Sequence, residues 1–132
     1  MGRPRAFDEA TAVASAAALF ASRAYDGISV DDLVNHLGVH RNSLYQTFGS
    51  KRGLYLRALR WHLDEQVRPA LRRNATFDNG LDFLLLAATE RAPADPEVAT
   101  EITRILAEFD EALTAPATSA LLGDHLRARL SR

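Results

Sequence analysis

The segment SVDDLVNHLGVHRNSLYQTFGSK, residues 29–51, constrains this chain most, because its pattern is that of two short helices joined by a sharp turn. Ser29 is a favourable N-cap for the first helix, and Asp32 can return a hydrogen bond to the backbone N–H of the cap. Gly38 then tolerates the positive φ that a tight turn after a helix requires. The spacing therefore predicts a helix-turn-helix.

The second helix of this motif has an apolar side and a polar side. Leu44 and Phe48 are four residues apart, so they share the inward side. The outward positions carry Arg41, Asn42, Ser43, Tyr45, Gln46 and Thr47. Arginine can read guanine with two hydrogen bonds, and asparagine or glutamine can read adenine. A short helix with this outer surface is what a helix-turn-helix places in a DNA major groove.

Length and composition indicate one soluble domain, or a small head with a short helical body. The chain has 132 residues, of which 47% are hydrophobic and 25% charged. We expect no membrane contact, because no apolar run approaches the roughly 18–20 residues that span a bilayer. The N-terminal MGRPRAFDEA lacks the apolar core of a secretory signal, and cysteine is absent. These features favour a cytoplasmic protein.

Charge is unevenly distributed along the chain. Residues 1–76 carry 11 Lys/Arg and 7 Asp/Glu, a net charge of +4, whereas residues 77–132 carry 5 and 10, a net charge of −5. A basic front half and an acidic back half suit a molecule that presents one end to a polyanion. Ordinary charge scatter is the alternative.

The apolar spacing predicts an all-α fold. Asp8 caps a first helix that runs to about Arg23, and Ser50 caps a long fourth helix that runs to about residue 73. Pro69 predicts a kink or an end of that helix near residues 67–68. The expected architecture is a three-helix helix-turn-helix head, residues 1–50, which the long fourth helix joins to a short helical C-terminal body, residues 51–132.

The rear part of the chain contains three further predicted helices. Asp78 can cap the first, which is apolar on most sides and should be central to the rear core. Asp95-Pro96 is a strong start signal for the second, and Thr118–Leu130 forms the last. The second carries a stripe of apolar residues that is either core packing or the seam of a helix–helix dimer. The stripe consists of Val98, Ile102, Ile105, Phe109 and Ala112.

Residues 1–63 resemble the N-terminal domain of TetR-type transcriptional repressors. The matching pieces are GRPRAFD, the alanine-rich first helix ending in LFASRAYDGISV, and DDLVNHLGVHRNSLYQTFGSKRGLY. A second segment, AATERAPADPEV (Ala87–Val98), resembles part of the family's ligand-binding body. The chain departs from the family in three ways. Val34 stands where the family usually has a small residue against the turn. His40 replaces the usual Ser or Thr cap of the recognition helix, and only about 56 residues follow the fourth-helix region, where the family normally has two long dimerisation helices.

The resemblance implies a set of DNA contacts. Arg41, Asn42, Ser43 and Gln46 are expected to face base edges or nearby phosphates. Tyr45 and Lys51 resemble the family's anchors to the DNA backbone, with Ser29 similarly placed at the start of the second helix. His40 and Thr47 flank this surface, and Arg3 and Arg5 could reach an adjacent minor groove from an N-terminal arm.

The expected function is that of a DNA-binding transcriptional regulator, a repressor that acts as a homodimer on a short palindromic operator in double-stranded DNA. The alternative is a shortened family member that lacks ligand sensing and acts as a protein-interaction or hetero-dimerising module. A small apolar effector is a further expected partner, in a pocket lined by Trp61, Phe83, Leu84, Leu86 and Phe109. The competing interpretation is that these residues fill the core.

Other chemistries have weaker signals. His36 and His40 are four residues apart, but Gly38 interrupts the helix between them, so they do not share a face as a metal pair would. Ser, His and Asp occur without a nucleophile elbow or a phosphate-binding loop. We therefore expect no enzyme activity, no cofactor and no metal site.

Overall fold

The computed structural model describes residues 8–73, 77 and 80–131. All regular structure in these ranges is helical, which confirms the predicted all-α fold. The α-helices are α1 Glu9–Ser22, α2 Val30–Leu37, α3 Arg41–Phe48, α4 Lys51–His62, α5 Arg68–Arg72, α6 Asp82–Leu86, α7 Pro96–Ala112 and α8 Ala115–Leu130. None of the helices in the described part of the chain combines the length and the apolarity needed to cross a bilayer.

Side-chain caps begin the helices where the sequence predicts them. Asp8, Ser50 and Asp95 each accept a hydrogen bond from a backbone N–H in the first turn of α1, α4 and α7. Pro96 occupies the first turn of α7, where its missing N–H costs no helical hydrogen bond. The predicted cap Asp78 lies outside the described residues.

The long fourth helix is continuous but not uniform. A wide π turn, Leu63–Val67, joins α4 to α5, and within it the N–H of Arg68 donates to the carbonyl oxygen of Leu63. Pro69 follows directly and has no N–H to donate, so the irregularity predicted near residues 67–68 takes the form of a π turn. A second π turn, Ala87–Arg91, extends α6 towards α7.

One hydrophobic core runs through the front and rear of the molecule. Its centre is an aromatic cluster in which Phe20 of α1 lies 4.9 Å from the ring of Tyr55 and 6.1 Å from that of Phe83. Tyr55 and Phe83 lie 5.4 Å apart. The core therefore crosses the boundary expected between residues 50 and 51, which stays a prediction.

Ion pairs join the basic front half to the acidic back half. Three arginines of α4 and α5 are spaced eight residues apart along the chain. Each forms an ion pair with a carboxylate of α7 or of its N-cap, Asp95. Arg52 Nε lies 2.7 Å from Asp95 Oδ2, Arg60 Nε lies 3.0 Å from Glu101 Oε2, and Arg68 Nη2 lies 2.8 Å from Glu108 Oε2. We call these pairs the arginine ladder. Part of the positive charge of the front half is thus paired with negative charge of the back half within the chain, and is not free for an external polyanion.

Candidate nucleic-acid interface

The helix-turn-helix has the local geometry that its sequence predicts. The Ser29 hydroxyl accepts from the Asp32 N–H at 2.9 Å, and Asp32 Oδ2 accepts from the Ser29 N–H at 2.9 Å. Gly38 ends α2 in the left-handed region, with φ 69° and ψ 33°. A second glycine with positive φ, Gly49, ends α3 at φ 83°. These two turns fix the direction of α3 against α2 and α4.

α3 presents its polar side outward. Leu44 and Phe48 are buried, whereas five of the six predicted outward residues are exposed and Ser43 is half-buried. The exposed residues form two adjacent i, i+4 stripes, one with Arg41 and Tyr45 and the other with Asn42 and Gln46. Thr47 extends the same surface. His40 makes no hydrogen bond with its side chain as the N-cap, as expected for a residue that caps poorly.

The guanidinium of Arg41 is not free on this surface. Its Nη2 forms an ion pair with Oδ1 of Asp31, an exposed residue in the first turn of α2. Sequence spacing gives no sign of this contact, because the two residues lie on different helices. Any contact of Arg41 with a base or a phosphate competes with Asp31.

Lys51 occupies a different environment from the one expected of a phosphate anchor. Its Nζ donates to the carbonyl oxygen of Tyr25 at 2.7 Å and lies 3.9 Å from the centroid of the Tyr25 ring. Partial burial lowers the pKa of the Lys51 ammonium. A phosphate contact by Lys51 stays a prediction, and it requires the ammonium to turn away from Tyr25.

The remaining predicted DNA contacts are less constrained by the structure. The Ser29 hydroxyl already accepts a hydrogen bond in its capping role, and it keeps its own O–H as a donor. Arg3 and Arg5 lie outside the described residues. Position and exposure are thus established for the α3 residues, whereas DNA contact by each of them remains a prediction.

The residues predicted to form an effector pocket differ in burial, and the pocket itself stays a prediction. Leu84 and Phe109 are fully buried in the core, and Leu86 is half-buried. Trp61 and Phe83 do line a cavity, but they do so with residues of α1 that the prediction did not include. No cluster of three or more potential metal ligands occurs among the residues that the structure describes.

The predicted dimer seam on α7 faces the chain's own core. Val98, Ile102, Ile105 and Phe109 are buried within the single chain, and only Ala112 is exposed. The four buried residues are therefore not available to a second copy in this conformation. The stripe fits the alternative of core packing, and a dimer would have to use another surface.

Comparison with known proteins shows which family this chain is similar to. Residues 12–58 match the family model described as bacterial regulatory proteins, tetR family. The chain is 30% identical to the HTH-type transcriptional regulator YezE of Bacillus subtilis, over 85% of this chain and 69% of the relative.

Two further relatives match over about half of this chain. Identity is 38% with the HTH-type transcriptional repressor BdcR of Escherichia coli, over 52% of this chain and 34% of BdcR. It is 40% with the HTH-type transcriptional activator FasR of Mycolicibacterium smegmatis, over 49% of this chain and 30% of FasR. The matched region thus spans only about a third of these two relatives. No solved structure matches the chain significantly.

Proposed function

This chain belongs to the tetR family of bacterial regulatory proteins, and on that premise we propose that it is a repressor that binds a short palindromic operator as a homodimer. The observation that carries the proposal is the exposed polar side of α3 above the buried Leu44 and Phe48. A helix so oriented can enter a major groove, while the helices around it contact the DNA backbone.

A dimer is required by the size of this surface. One α3 helix of eight residues offers few base contacts, so tight and specific binding needs a second copy at a fixed distance. Two-fold readers place their recognition helices about one helical turn of DNA apart, roughly 34–36 Å. The operator should accordingly contain two inverted half-sites.

α8 is the surface that best supports self-association. Leu126 is 51% exposed and Leu130 is 82% exposed, and the two lie four residues apart on one side of the helix. Leu122, half-buried, continues the same side. Exposed leucines at this spacing are what a helix–helix contact with a second copy would cover.

Repression is the direction of regulation that we propose. Among the relatives, BdcR is named a repressor and FasR an activator. A reporter gene behind the promoter of the chain's own gene distinguishes the two directions. Repression predicts lower reporter output when the protein is expressed, and activation predicts the reverse.

DNA binding is tested by fluorescence anisotropy against the same promoter, at a series of salt concentrations. Specific binding should weaken steeply as salt rises, because each neutralised phosphate releases counterions. Arg41→Ala should reduce the preference for the operator over a scrambled duplex by about 1–3 kcal/mol. Absent or salt-insensitive binding by the wild-type protein would contradict the proposal.

The dimer is tested by analytical ultracentrifugation of the pure protein. We expect a dimer at tens of micromolar, and a folded monomer for the Leu130→Glu variant, whose new charge cannot be buried at an apolar contact. A wild-type monomer at this concentration would instead support the alternative function, an interaction module that pairs with another protein.

A further inference from the structure

The aromatic ring of Tyr25, in the turn between α1 and α2, contacts two cationic side chains. The ammonium nitrogen of Lys51, at the start of α4, lies 3.9 Å from the ring centroid, and the guanidinium carbon of Arg91 lies 4.2 Å from it. Lys51 belongs to the predicted DNA surface, whereas Arg91 ends the π turn that extends α6. A single ring thus connects the DNA-binding head to the rear of the molecule.

Arg91 makes few hydrogen bonds for an arginine that is largely covered. Its side chain is 18% exposed, and its Nε is buried with no hydrogen-bond partner among the residues that the structure describes. Its Nη2 lies 3.7 Å from Asp95 Oδ2, but Arg52 already donates to the two oxygens of Asp95 at 2.7 and 3.0 Å. A buried N–H without a partner costs stability. Arg91 therefore lies against Tyr25 without the hydrogen bonds that a purely structural arginine would make.

The π turn determines where the side chain of Arg91 lies. Within it, the N–H of Ala92 donates to the carbonyl oxygen of Ala87 and not to the closer carbonyl of a regular helix. The wider turn changes the side of the helix on which its last residue emerges, and such turns are frequent at functional sites. An irregular backbone thus brings a poorly paired cation to the ring that Lys51 also contacts.

Two like charges on one ring weaken each other's contact with it. The ring attracts each cation through its quadrupole, but the cations repel each other. Burial lowers the pKa of the Lys51 ammonium most, and the charge of Arg91 lowers it further, whereas the carboxylates of Asp26 and Asp32 act in the opposite direction. Arg91 therefore destabilises the ammonium of Lys51 where it lies against Tyr25.

We propose that Arg91 is a positioning residue for DNA binding, which weakens the contact of Lys51 with Tyr25 and so makes the ammonium available to a DNA phosphate. Lys51 suits such a movement, because a lysine carries a compact charge on a flexible stem. It is the one lysine among the 16 Lys and Arg residues of the chain. When Lys51 turns to a phosphate, Arg91 still covers the ring. The DNA contact of Lys51 rests on the proposed function, whereas its contact with Tyr25 does not.

The first experiment measures Lys51 in the protein without DNA. Because the chain has a single lysine, its side-chain nitrogen gives one signal in ¹⁵N NMR, and the change of that signal with pH gives the pKa of Lys51. Arg91→Gln should raise this pKa, since it removes a positive charge that shares the ring. Arg104→Gln makes the same charge change at an exposed site of α7 and is the matched control. An unchanged pKa of Lys51 in Arg91→Gln would overturn the proposal.

The second experiment measures operator affinity in a double-mutant cycle of Arg91→Gln and Lys51→Ala. Arg91→Gln should weaken binding by about 2–5-fold, the effect of one exposed cation–π contact, because Lys51 is then held more firmly at Tyr25. In the Lys51→Ala background it should have no effect, since it acts through Lys51. An equal loss in both backgrounds would show that Arg91 acts independently of Lys51 and would overturn the proposal.

Two further variants separate the charge of Arg91 from its packing. Arg91→Lys keeps a cation beside Tyr25 and should retain most of the affinity, whereas Arg91→Met covers the ring without a charge and should reproduce the loss, even if Arg91→Gln failed to fold. Equal losses in these two variants would assign Arg91 a packing role and overturn the proposal. Absent DNA binding by the wild type would overturn the proposed function. Normal operator binding with an unchanged pKa of Lys51 in Arg91→Gln would overturn only this inference.

Discussion

Asp31 of α2 holds the guanidinium of Arg41, the first residue of the candidate recognition helix α3, in an ion pair. Both side chains are exposed, so the pair contributes little to stability. Its importance lies in position, because a carboxylate beside a DNA-reading surface repels phosphate and competes for the arginine. Asp31 therefore limits how readily Arg41 contacts DNA.

Asp31→Asn should increase the affinity for any DNA sequence by up to about 5-fold, since it removes a competitor worth roughly 0.2–1 kcal/mol. The gain should be greater for a scrambled duplex than for the operator, because a released Arg41 reaches phosphates as well as bases. Anisotropy titrations with the two duplexes measure both effects. Asp124→Asn makes the same charge change on α8 and should alter neither affinity. Unchanged binding by Asp31→Asn would show that the ion pair does not restrain Arg41.

The sequence predicts that Lys51 contacts a DNA phosphate, whereas in the structure its ammonium contacts Tyr25. If its ammonium leaves the Tyr25 carbonyl for a phosphate, Lys51→Ala should weaken the operator and the scrambled duplex alike. The slope of log affinity against log salt should fall by about 1, the effect of losing one phosphate contact. Arg104→Ala, which removes an exposed cation from α7, is the control. An unchanged slope would assign Lys51 a structural role at Tyr25.

Asp95 should contribute to stability in a pH-dependent way. It is 2% exposed, it accepts hydrogen bonds from Arg52 at 2.7 and 3.0 Å, and it caps α7 through the Glu97 N–H. The hydrogen bonds from Arg52 lower the pKa of Asp95 from 3.8 to about 2. Because the folded-state pKa is the lower one, this stabilisation is complete above about pH 4 and is lost as the pH falls towards 2.

Asp95→Asn should lower the free energy of unfolding at pH 7 by about 1–3 kcal/mol, since it leaves Arg52 without its best-buried partner. The difference from the wild type should shrink between pH 4 and pH 2. Urea unfolding followed by circular dichroism at several pH values measures both. Glu97→Gln changes an exposed partner of the same arginine and should lower the free energy of unfolding much less than Asp95→Asn does. A pH-independent difference for Asp95→Asn would rule out the charge as its cause.

Two glycines should respond oppositely to alanine. A Cβ at Gly53 would overlap the backbone carbonyl oxygen of Phe48 at the junction of α3 and α4. Gly53→Ala should therefore destabilise the fold by about 1–3 kcal/mol, as overpacking against backbone does. Gly123 lies in the middle of α8, and in the described part of the chain a Cβ there would meet only open space. Gly123→Ala should accordingly stabilise the fold by about 0.5–1 kcal/mol. Urea unfolding tests the pair, and equal effects would contradict the predicted clash.

The local elements of the candidate interface were predictable from sequence because they depend on neighbouring residues. The Ser29–Asp32 capping box, the left-handed Gly38 and the buried pair Leu44 and Phe48 all act within four residues. Asp95 and Pro96 likewise mark the start of α7 through their immediate neighbours. Hydrogen-bond geometry and helical periodicity operate at this range, so residue type and spacing suffice to predict them.

Spacing alone did not decide which of two surfaces an apolar stripe faces. The α7 stripe is equally suited to core packing and to a dimer seam, and only its contacts within the chain show that it is buried. The predicted effector pocket stays a prediction for a related reason. Sequence pattern identified aromatic residues such as Trp61 and Phe83, whereas the packing of α1 determines where space remains between them.

Residue type and spacing were enough to establish the helices, their caps and the polar outer side of α3. Which partners the charged side chains contact depends instead on how the helices pack in three dimensions. Lys51 reaches Tyr25 across 26 residues, and Arg52 reaches Asp95 across 43. The physical reason is that helical periodicity fixes the side of a helix on which a charged residue lies. The residue that it contacts depends on how helices distant in sequence pack against that side.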